Sequence, residues 1–350
     1  MSELIATSAD ELTEAWLAEV LGTTVHSVSA ERIGAGQTSA TCRLTIDGDG
    51  LPTTMIAKFA QGDLDARLRV ALAHRSEVGF YRQMADRVSL TTPACWHGAL
   101  SEDASSFTLL LEDLSPRQIG RQVDGCTPAQ ALAGVEVLAA LHASGWREPE
   151  LRALDFFVPL TEERASFLGG LVSLATEQFV KRFATVLDEN DVLTLRHVAK
   201  SIVDFQLWGS DRYSIIHGDF RLDNLMFDAL TNEVIPVDWQ TVTVANPGRD
   251  LAYFLGTCLP TEARVELEDE LVASYHHSLL DQGIEDVSLE GCFDAYRVGL
   301  FHGPMITVLG TMTSAAVLEP SAAEMFCSMA ARSCAAMRFH NSFDVLEATR

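Results

Sequence analysis

The chain has 350 residues, 47% of them hydrophobic and 21% charged. That is a globular composition, which excludes a long disordered or fibrous chain and supplies apolar material for two domains or one large bilobal unit. Lysine and arginine total 25 against 49 aspartates and glutamates, a net charge of −24, which argues against nucleic acid held by a basic patch and against an anionic bilayer surface, and mildly favours a cationic ligand.

The seven cysteines stand singly, without a CxxC pair. A disulfide framework or a zinc site is therefore not expected, and the reading is a reducing, cytoplasmic setting. The N-terminal stretch carries Glu3, Asp10, Glu11, Glu14 and Glu19 with no basic start, so no secretory leader is read there.

In chain order, Ser8 to Leu21 reads as a short amphipathic helix. Val28 to Ile33 and the alternating Thr41 to Ile46 read as strands, the turn Asp47-Gly48-Asp49-Gly50 follows, and Thr53 to Phe59 is a third strand. Asp65 to Arg87 is helical, with Val78, Tyr81 and Met84 on one face. Cys95 to Gly98 and Phe107 to Leu111 complete a small sheet.

Beyond Leu111 the texture turns helical. Thr127-Pro128-Ala129-Gln130 joins an N-cap, a proline at the first helical position and a capping-box glutamine, and predicts a helix to about His142. The segment Gly145 to Leu187 is rich in aromatics, from Trp146 to Phe183, which suit either core packing or an apolar substrate lid. Val192 to Trp208 is a further helix. Ser214 to His217 and Val234 to Val237 are short strands, and helices follow over Leu251 to Leu259, Glu262 to Leu280, Leu289 to Leu318 with a break near Pro304, and Ala322 to His340. The run from Val298 to Leu318 is uncharged and long enough to cross a bilayer, but Gly303, Pro304, Gly310, Thr307, Thr311, Thr313 and Ser314 favour a buried helix, so no membrane insertion is expected.

The densest polar cluster is His217-Gly218-Asp219-Phe220-Arg221-Leu222-Asp223-Asn224, with Asp238 at the end of the next apolar strand. The strands deliver His217 and Asp238 to their C-terminal ends. The five-residue spacing of Asp219 and Asn224 can aim a carboxylate at a substrate hydroxyl and an amide oxygen at a metal, while Asp238 supplies the hard anionic oxygen that Mg²⁺ prefers.

His217-Gly218-Asp219-x-x-x-x-Asn224 followed by Asp238 resembles the catalytic and metal-binding loops of the aminoglycoside phosphotransferase-like small-molecule kinases. Val237-Asp238-Trp239-Gln240 and Pro247-Gly248-Arg249-Asp250-Leu251-Ala252-Tyr253 are most similar to their ecdysteroid-kinase-like and acyl-CoA-dehydrogenase-associated phosphotransferase branches. The resemblance runs from about Arg32 to about Leu259. It implies an α+β, bilobal protein-kinase-like fold: an N-terminal antiparallel sheet lobe with one helix (residues 1–111), a hinge at 112–114, and a larger, mostly helical C-terminal lobe (115–350).

The resemblance also implies roles. Gly34, Gly36 and Ser39 would belong to a hairpin over nucleotide phosphates, Lys58 of Met55-Ile56-Ala57-Lys58 would bind the α/β-phosphates, and Glu77 would pair with it. Backbone groups of Glu112, Asp113 and Leu114 would meet adenine, with ATP and Mg²⁺ as cofactors. Asp219 would orient the acceptor hydroxyl and receive its proton late, and Asn224 and Asp238 would hold the metal. His217 and Asp250 would brace the catalytic loop. Arg221 could neutralise phosphate or pair with Asp223.

Trp239-Gln240 stands where protein kinases have Phe-Gly, and the chain between Asp238 and Asp250 is too short for a peptide platform. A small-molecule hydroxyl acceptor is therefore favoured over a protein. An aminoglycoside suits the acidic balance, whereas a sterol-like or other apolar alcohol suits the aromatic segment. A non-catalytic nucleotide- or ligand-binding pseudokinase is the alternative, opposed by the presence of Lys58, Glu77, Asp219, Asn224 and Asp238 together. A dinucleotide oxidoreductase built on Gly34-Ala35-Gly36 is rejected, because a strand rather than a helix follows the motif. Cysteines read as buried small hydrophobes, His142 as packing, and Glu162, Glu163, His276 and His277 as solvated.

Overall fold

The computed structural model describes residues 4–34, 39–313 and 318–348. The chain divides into two compact units: Met1–Arg87, Thr91–Pro116 and Val237–Val242 form the first, and Val88–Leu90, Arg117–Pro236 and Thr243–Arg350 the second. The first unit thus runs past the expected 112–114 hinge to Pro116 and takes in the six residues that carry Asp238.

The first unit is built on a five-stranded antiparallel sheet in the order β1-β2-β3-β5-β4, comprising β1 (Val25–Ile33), β2 (Ser39–Gly48), β3 (Thr54–Ala60), β4 (Cys95–Leu100) and β5 (Phe107–Glu112). Alternation decides which face is buried: Leu44, Ile46, Met55, Ala57 and Phe59 enter a core with Leu12 and Leu17. Leu17 lies on α1 (Glu14–Leu21), capped by Thr13 and closed by Gly22 in the left-handed conformation. The single helix expected from Asp65 is two, α2 (Leu64–Arg69) and α3 (Ala71–Gln83), parted at Val70 with φ −110°. Val70 is β-branched and leaves helical φ/ψ there, while Asp63 caps the first helix through the Ala66 N–H.

The second unit is helical around two small antiparallel sheets. One holds β6 (Gln118–Ile119), β8 (Leu225–Phe227) and β9 (Val234–Pro236); the other pairs β7 (Ser214–Ile216) with β10 (Thr243–Ala245). Its helices are α4 (Pro128–Ser144), α5 (Glu162–Arg182), α6 (Glu189–Leu207), α7 (Gly248–Cys258), α8 (Thr261–Asp281), α9 (Leu289–Gly299), α10 (His302–Thr313), α11 (Pro320–Phe339) and α12 (Ser342–Ala348). The capping box opens α4 as expected: the Gln130 N–H donates to Thr127 Oγ1 at 3.2 Å, and the Thr127 N–H donates to Gln130 Oε1 at 3.0 Å. The uncharged 298–318 run is not one rod. The chain breaks between α9 and α10, before Pro304, which sits in the first turn of α10 where it needs no N–H partner. Among the described residues no helix is long and apolar enough to cross a membrane. All seven cysteines are free, and four of them are buried.

Helix α7 is buried along its whole length. Its approach to α9 requires glycine on both sides: a Cβ at Gly299 would lie 2.1 Å from the Gly248 carbonyl oxygen, and one at Gly248 would lie 2.4 Å from the Ala295 oxygen. Gly299→Ala should therefore cost about 1–3 kcal/mol of stability in urea unfolding. Gly170→Ala on α5, where a Cβ meets nothing within 4 Å, should instead gain about 0.5–1 kcal/mol. Equal effects at the two positions would show that close approach does not govern α7.

Candidate active site

In the first unit, β3 presents Lys58 and α3 presents Glu77, both buried. Lys58 Nζ lies 2.5 Å from Glu77 Oε1 and 3.4 Å from Asp238 Oδ1. Burial alone would lower the Lys58 pKa, but the charges of Asp238 and Glu77 outweigh it and hold the ammonium well above its usual value. Burial lifts the Glu77 carboxyl above the usual range, Lys58 opposes, and Asp238 adds to the rise. One ammonium thus faces two carboxyl groups, and a further cation beside Asp238 would favour the ionised form of both.

Asp238 is held in left-handed backbone, φ +65°, a conformation that short polar side chains tolerate better than most. The next residue, Trp239, is fully buried and stacks on Phe80 of α3, with ring centroids 3.7 Å apart and planes 8° from parallel. The tryptophan that departs from the protein-kinase pattern therefore fastens the Asp238 segment to the helix that carries Glu77.

At the end of β5, the Glu112 N–H donates to the Ala94 oxygen at 2.8 Å. The Asp113 carboxylate takes Arg43 Nε at 2.7 Å and the Ser115 N–H at 3.1 Å. Burial raises the Asp113 pKa, but Arg43 and Ser115 outweigh it and hold the carboxyl below its usual value. The Glu112 N–H is thus committed within the protein, so any adenine contact from 112–114 falls to the other backbone groups. Gly34 is left-handed at φ +71° and Ser39 is buried at the start of β2, whereas Gly36 lies outside the described residues.

In the second unit, β7 feeds directly into His217-Gly218-Asp219. Gly218 turns the chain at φ +82°, which glycine accepts without strain. Asp250, in the first turn of α7, is completely buried and accepts from the His217 N–H at 2.6 Å and the Gly218 N–H at 2.9 Å. His142 Nε2 lies 3.5 Å from Asp250 Oδ2. Burial pushes the Asp250 carboxyl up, yet His142 and the nearby His217 and His302 outweigh it, and its pKa is depressed. His302 Nε2 donates to the Gly218 oxygen at 2.9 Å; burial holds this imidazole below its usual pKa, and therefore neutral.

The loop so braced carries Asp219, whose side chain is 15% exposed. Tyr253 O–H donates to Asp219 Oδ1 at 2.7 Å, Asn224 Nδ2 to Oδ2 at 3.0 Å, and Arg221 Nε to Oδ2 at 3.3 Å. Burial raises the Tyr253 pKa well above its usual value, so the phenol remains a donor. Asn224 Nδ2 also donates to the Asp219 carbonyl oxygen at 2.9 Å. Two acceptors on one side fix the amide's orientation and leave its oxygen as the group that can meet a cation. Arg221 pairs with Asp223 at 2.6 Å, the second of the two readings its position allowed.

Each unit thus gathers part of the expected set: Lys58, Glu77 and Asp238 in the first, and Asp219 and Asn224 in the second. Sequence reasoning gave no role to Tyr253, His302 or Gln122, whose Oε1 accepts the Leu222 N–H at 3.0 Å and whose own N–H donates to Asp223 at 3.0 Å. Tyr253 had a signal, because it falls three residues after Asp250, on the same helix face. His302 and Gln122 come from distant stretches with no local pattern.

A family model described as the ecdysteroid kinase-like family matches residues 76–287. Among curated proteins, the chain is 28% identical over 137 residues to human acyl-CoA dehydrogenase family member 11, covering 38% of this chain and 16% of that protein. It is 49% identical over 43 residues to mouse acyl-CoA dehydrogenase family member 10, covering 12% of this chain and 4% of that one. The chain therefore corresponds to a small fraction of those relatives' length. Among solved structures, choline kinase from Cryptosporidium parvum aligns with a TM-score of 0.58 at 11% identity, covering 92% of this chain and 91% of the other. Ethanolamine kinase from Plasmodium vivax gives 0.53 at 14%, covering 88% and 82%. The GDP complex of aminoglycoside 2'-phosphotransferase-IIIa gives 0.51 at 16%, covering 95% of each chain. At these identities the likeness establishes the fold, a kinase-like α+β architecture.

Two substitutions test the bracing. Asp250→Asn turns two charge-assisted bonds into weaker or opposed contacts and should cost about 3 kcal/mol in urea unfolding at pH 7. His302 sets a pH dependence: its folded pKa is depressed, so the unfolded chain binds the extra proton, and stability falls as pH drops through the unfolded value of about 6.5. His302→Gln should lose less stability than wild type between pH 7.5 and pH 5.5; parallel curves would refute a neutral His302.

Proposed function

The chain belongs to the ecdysteroid kinase-like family, and we propose that it is an ATP- and Mg²⁺-dependent kinase that phosphorylates a hydroxyl of a small molecule. The observation that carries this reading is that each unit holds its own prepared set of groups. One is an ammonium with two carboxyl groups beside it (Lys58, Glu77, Asp238), and the other is a carboxylate held open and aimed by three donors (Asp219 with Tyr253, Asn224 and Arg221).

Phosphoryl transfer asks little covalent chemistry of the protein. Its loose transition state is served by positioning and by neutralising charge. Lys58, kept protonated and oriented by Glu77, suits the α/β-phosphates. Gly34 and Ser39 flank the loop expected over them, and the backbone of Asp113 and Leu114 suits the adenine edge. By donor type each residue suits a hard cation: the Asp238 carboxylate in the first unit and the Asn224 amide oxygen in the second are oxygens of the kind Mg²⁺ takes alongside phosphates and water, and these residues would hold it. When bound there, the metal would neutralise charge on the β- and γ-phosphates.

Asp219 acts on the acceptor. A carboxylate is a weak base toward a free alcohol, but here it needs only to receive a proton already leaving as the oxygen attacks. Tyr253 and Asn224 hold both carboxylate oxygens so that this alignment does not depend on substrate. The acceptor is a small molecule, either aminoglycoside-like or an apolar alcohol; the short Asp238–Asp250 connection supports that over a peptide.

Thermal stabilisation by ATP with and without Mg²⁺ is the first test. At 100 times Kd, a ligand binding only the folded state adds about 2.7 kcal/mol. The Mg²⁺-dependent part should vanish in Asp238→Ala, and retained metal dependence would remove Asp238 as a ligand. In an acceptor screen, Asp219→Ala should lower kcat by about 10³-fold with ATP binding near normal, and Tyr253→Phe should lower kcat by about tenfold with unchanged ATP affinity. Absence of any shift with ATP or GTP would favour a non-catalytic binding protein.

A further inference from the structure

The second unit contains a cavity of about 400 Å³ that takes no part in the chemistry above. Its walls include Arg152, Phe157, Glu162, Trp208, Tyr213 and Arg249. It lies at the end of the β7–β10 ladder where Ser214 pairs with Ala245, and the catalytic loop leaves the other end, where Ile216 pairs with Thr243. Its volume lies within the roughly 300–1,000 Å³ of small-molecule sites.

The charge of this cavity is unlike the rest of the chain. In a protein of net charge −24, its wall holds two arginines and one carboxylate, Glu162. Arg249 is only 7% exposed. Its guanidinium donates to Gln206 Oε1 at 2.9 Å and to the Gln206 carbonyl oxygen at 3.0 Å, and lies over the Phe205 ring. All of these partners are neutral, and its buried Nε has no hydrogen-bond partner. No carboxylate ion-pairs with Arg249 among the described residues. Asp250, its neighbour in sequence, is committed to the His217 and Gly218 N–H groups, and adjacent helical residues do not face each other.

A buried guanidinium without a directly paired carboxylate is costly, and burial pulls Arg249 down to about 10 even though the charge of Asp250 opposes the shift. The second cation, Arg152, is exposed and already ordered: it stacks on Tyr213 with its carbon 3.6 Å from the ring centroid and donates to the Ser210 oxygen at 2.9 Å. Neither arginine uses its full set of donors, and guanidinium forks match carboxylates. Phe157, Trp208 and the Tyr213 ring supply an apolar wall.

We propose that this cavity binds a small organic carboxylate with an aromatic or branched apolar body, its charge received by Arg152 and Arg249. The site is separate from the kinase chemistry, and its occupancy can be measured without nucleotide or acceptor.

The test is isothermal titration of the full chain with indole-3-acetate, beside the neutral isostere indole-3-acetamide and the cation tryptamine. Indole-3-acetate should bind at least about tenfold more tightly than the amide, the scale of one charge-assisted hydrogen bond, and tryptamine should not bind. Arg152→Glu, a change at an exposed residue, should weaken the carboxylate at least about tenfold without altering Tm, and Arg249→Gln, at a buried residue, should weaken it by a similar factor with a lower Tm. Equal binding of carboxylate and amide, no binding of either, or undiminished affinity in Arg152→Glu would overturn the proposal.

Discussion

The second unit's polar loop depends on one buried carboxylate. Asp250 gives up water entirely and in exchange accepts the two N–H groups at the turn into the loop that carries Asp219. The chain leaves strand pairing at Ile216 and turns at Gly218, and it is there that the carboxylate meets both groups. Without the carboxylate, two buried donors would stand unsatisfied beside a left-handed glycine, and the loop would have no defined exit from β7. Asp250 therefore fixes the direction in which Asp219 departs. The helix that carries it adds Tyr253 one turn later, so a single rigid element sets both the path of the loop and the orientation of the carboxylate on it. That explains why α7 is buried throughout and packed on α9 through glycine at both contact points.

The first unit solves a different problem. Lys58 must be charged although it is buried, and it is kept so by two carboxylates rather than one. The second of these, Asp238, belongs to a short segment far along the chain, fastened by the Trp239–Phe80 stack to the same helix that supplies Glu77. Aromatic stacking and ion pairing thus act on one helix, α3, and any shift of α3 would disturb both. Asp238 is partly exposed, whereas Glu77 is buried and its pKa is raised, so the two carboxyl groups share one ammonium in unequal environments.

Much of this was legible in the sequence where the pattern is local. Alternation at Cys42, Leu44 and Ile46 gave the strand, the Thr127–Gln130 spacing gave the α4 cap, and the apolar run before His217-Gly218 gave the short strand β7 and the turn after it. What was not legible depends on contacts between distant stretches. His302 reaches Gly218 across 84 residues of sequence, and no periodicity in an uncharged helix distinguishes a histidine that braces a loop from one that merely packs. The break at Val70 is a local departure inside a continuous helical pattern, which periodicity averages over. The allegiance of Val237–Val242 to the first unit is a matter of packing; a reading in chain order places those residues with β9, which they follow.

Asp219 and Asp250 also illustrate how two aspartates 31 positions apart in one unit take opposite roles. Asp250 is 0% exposed and its oxygens are taken by backbone donors that cannot move away. It has no capacity left to receive a proton from a substrate, and its depressed pKa makes it a poorer base still. Asp219 is bound by side chains instead, one of them, Arg221 at 3.3 Å, beyond the usual hydrogen-bond range, and retains an exposed edge. Side-chain donors can yield as charge on the carboxylate changes, whereas backbone donors fixed by a turn cannot. Environment, not residue type, separates the carboxylate locked by a turn from the one left with an exposed edge.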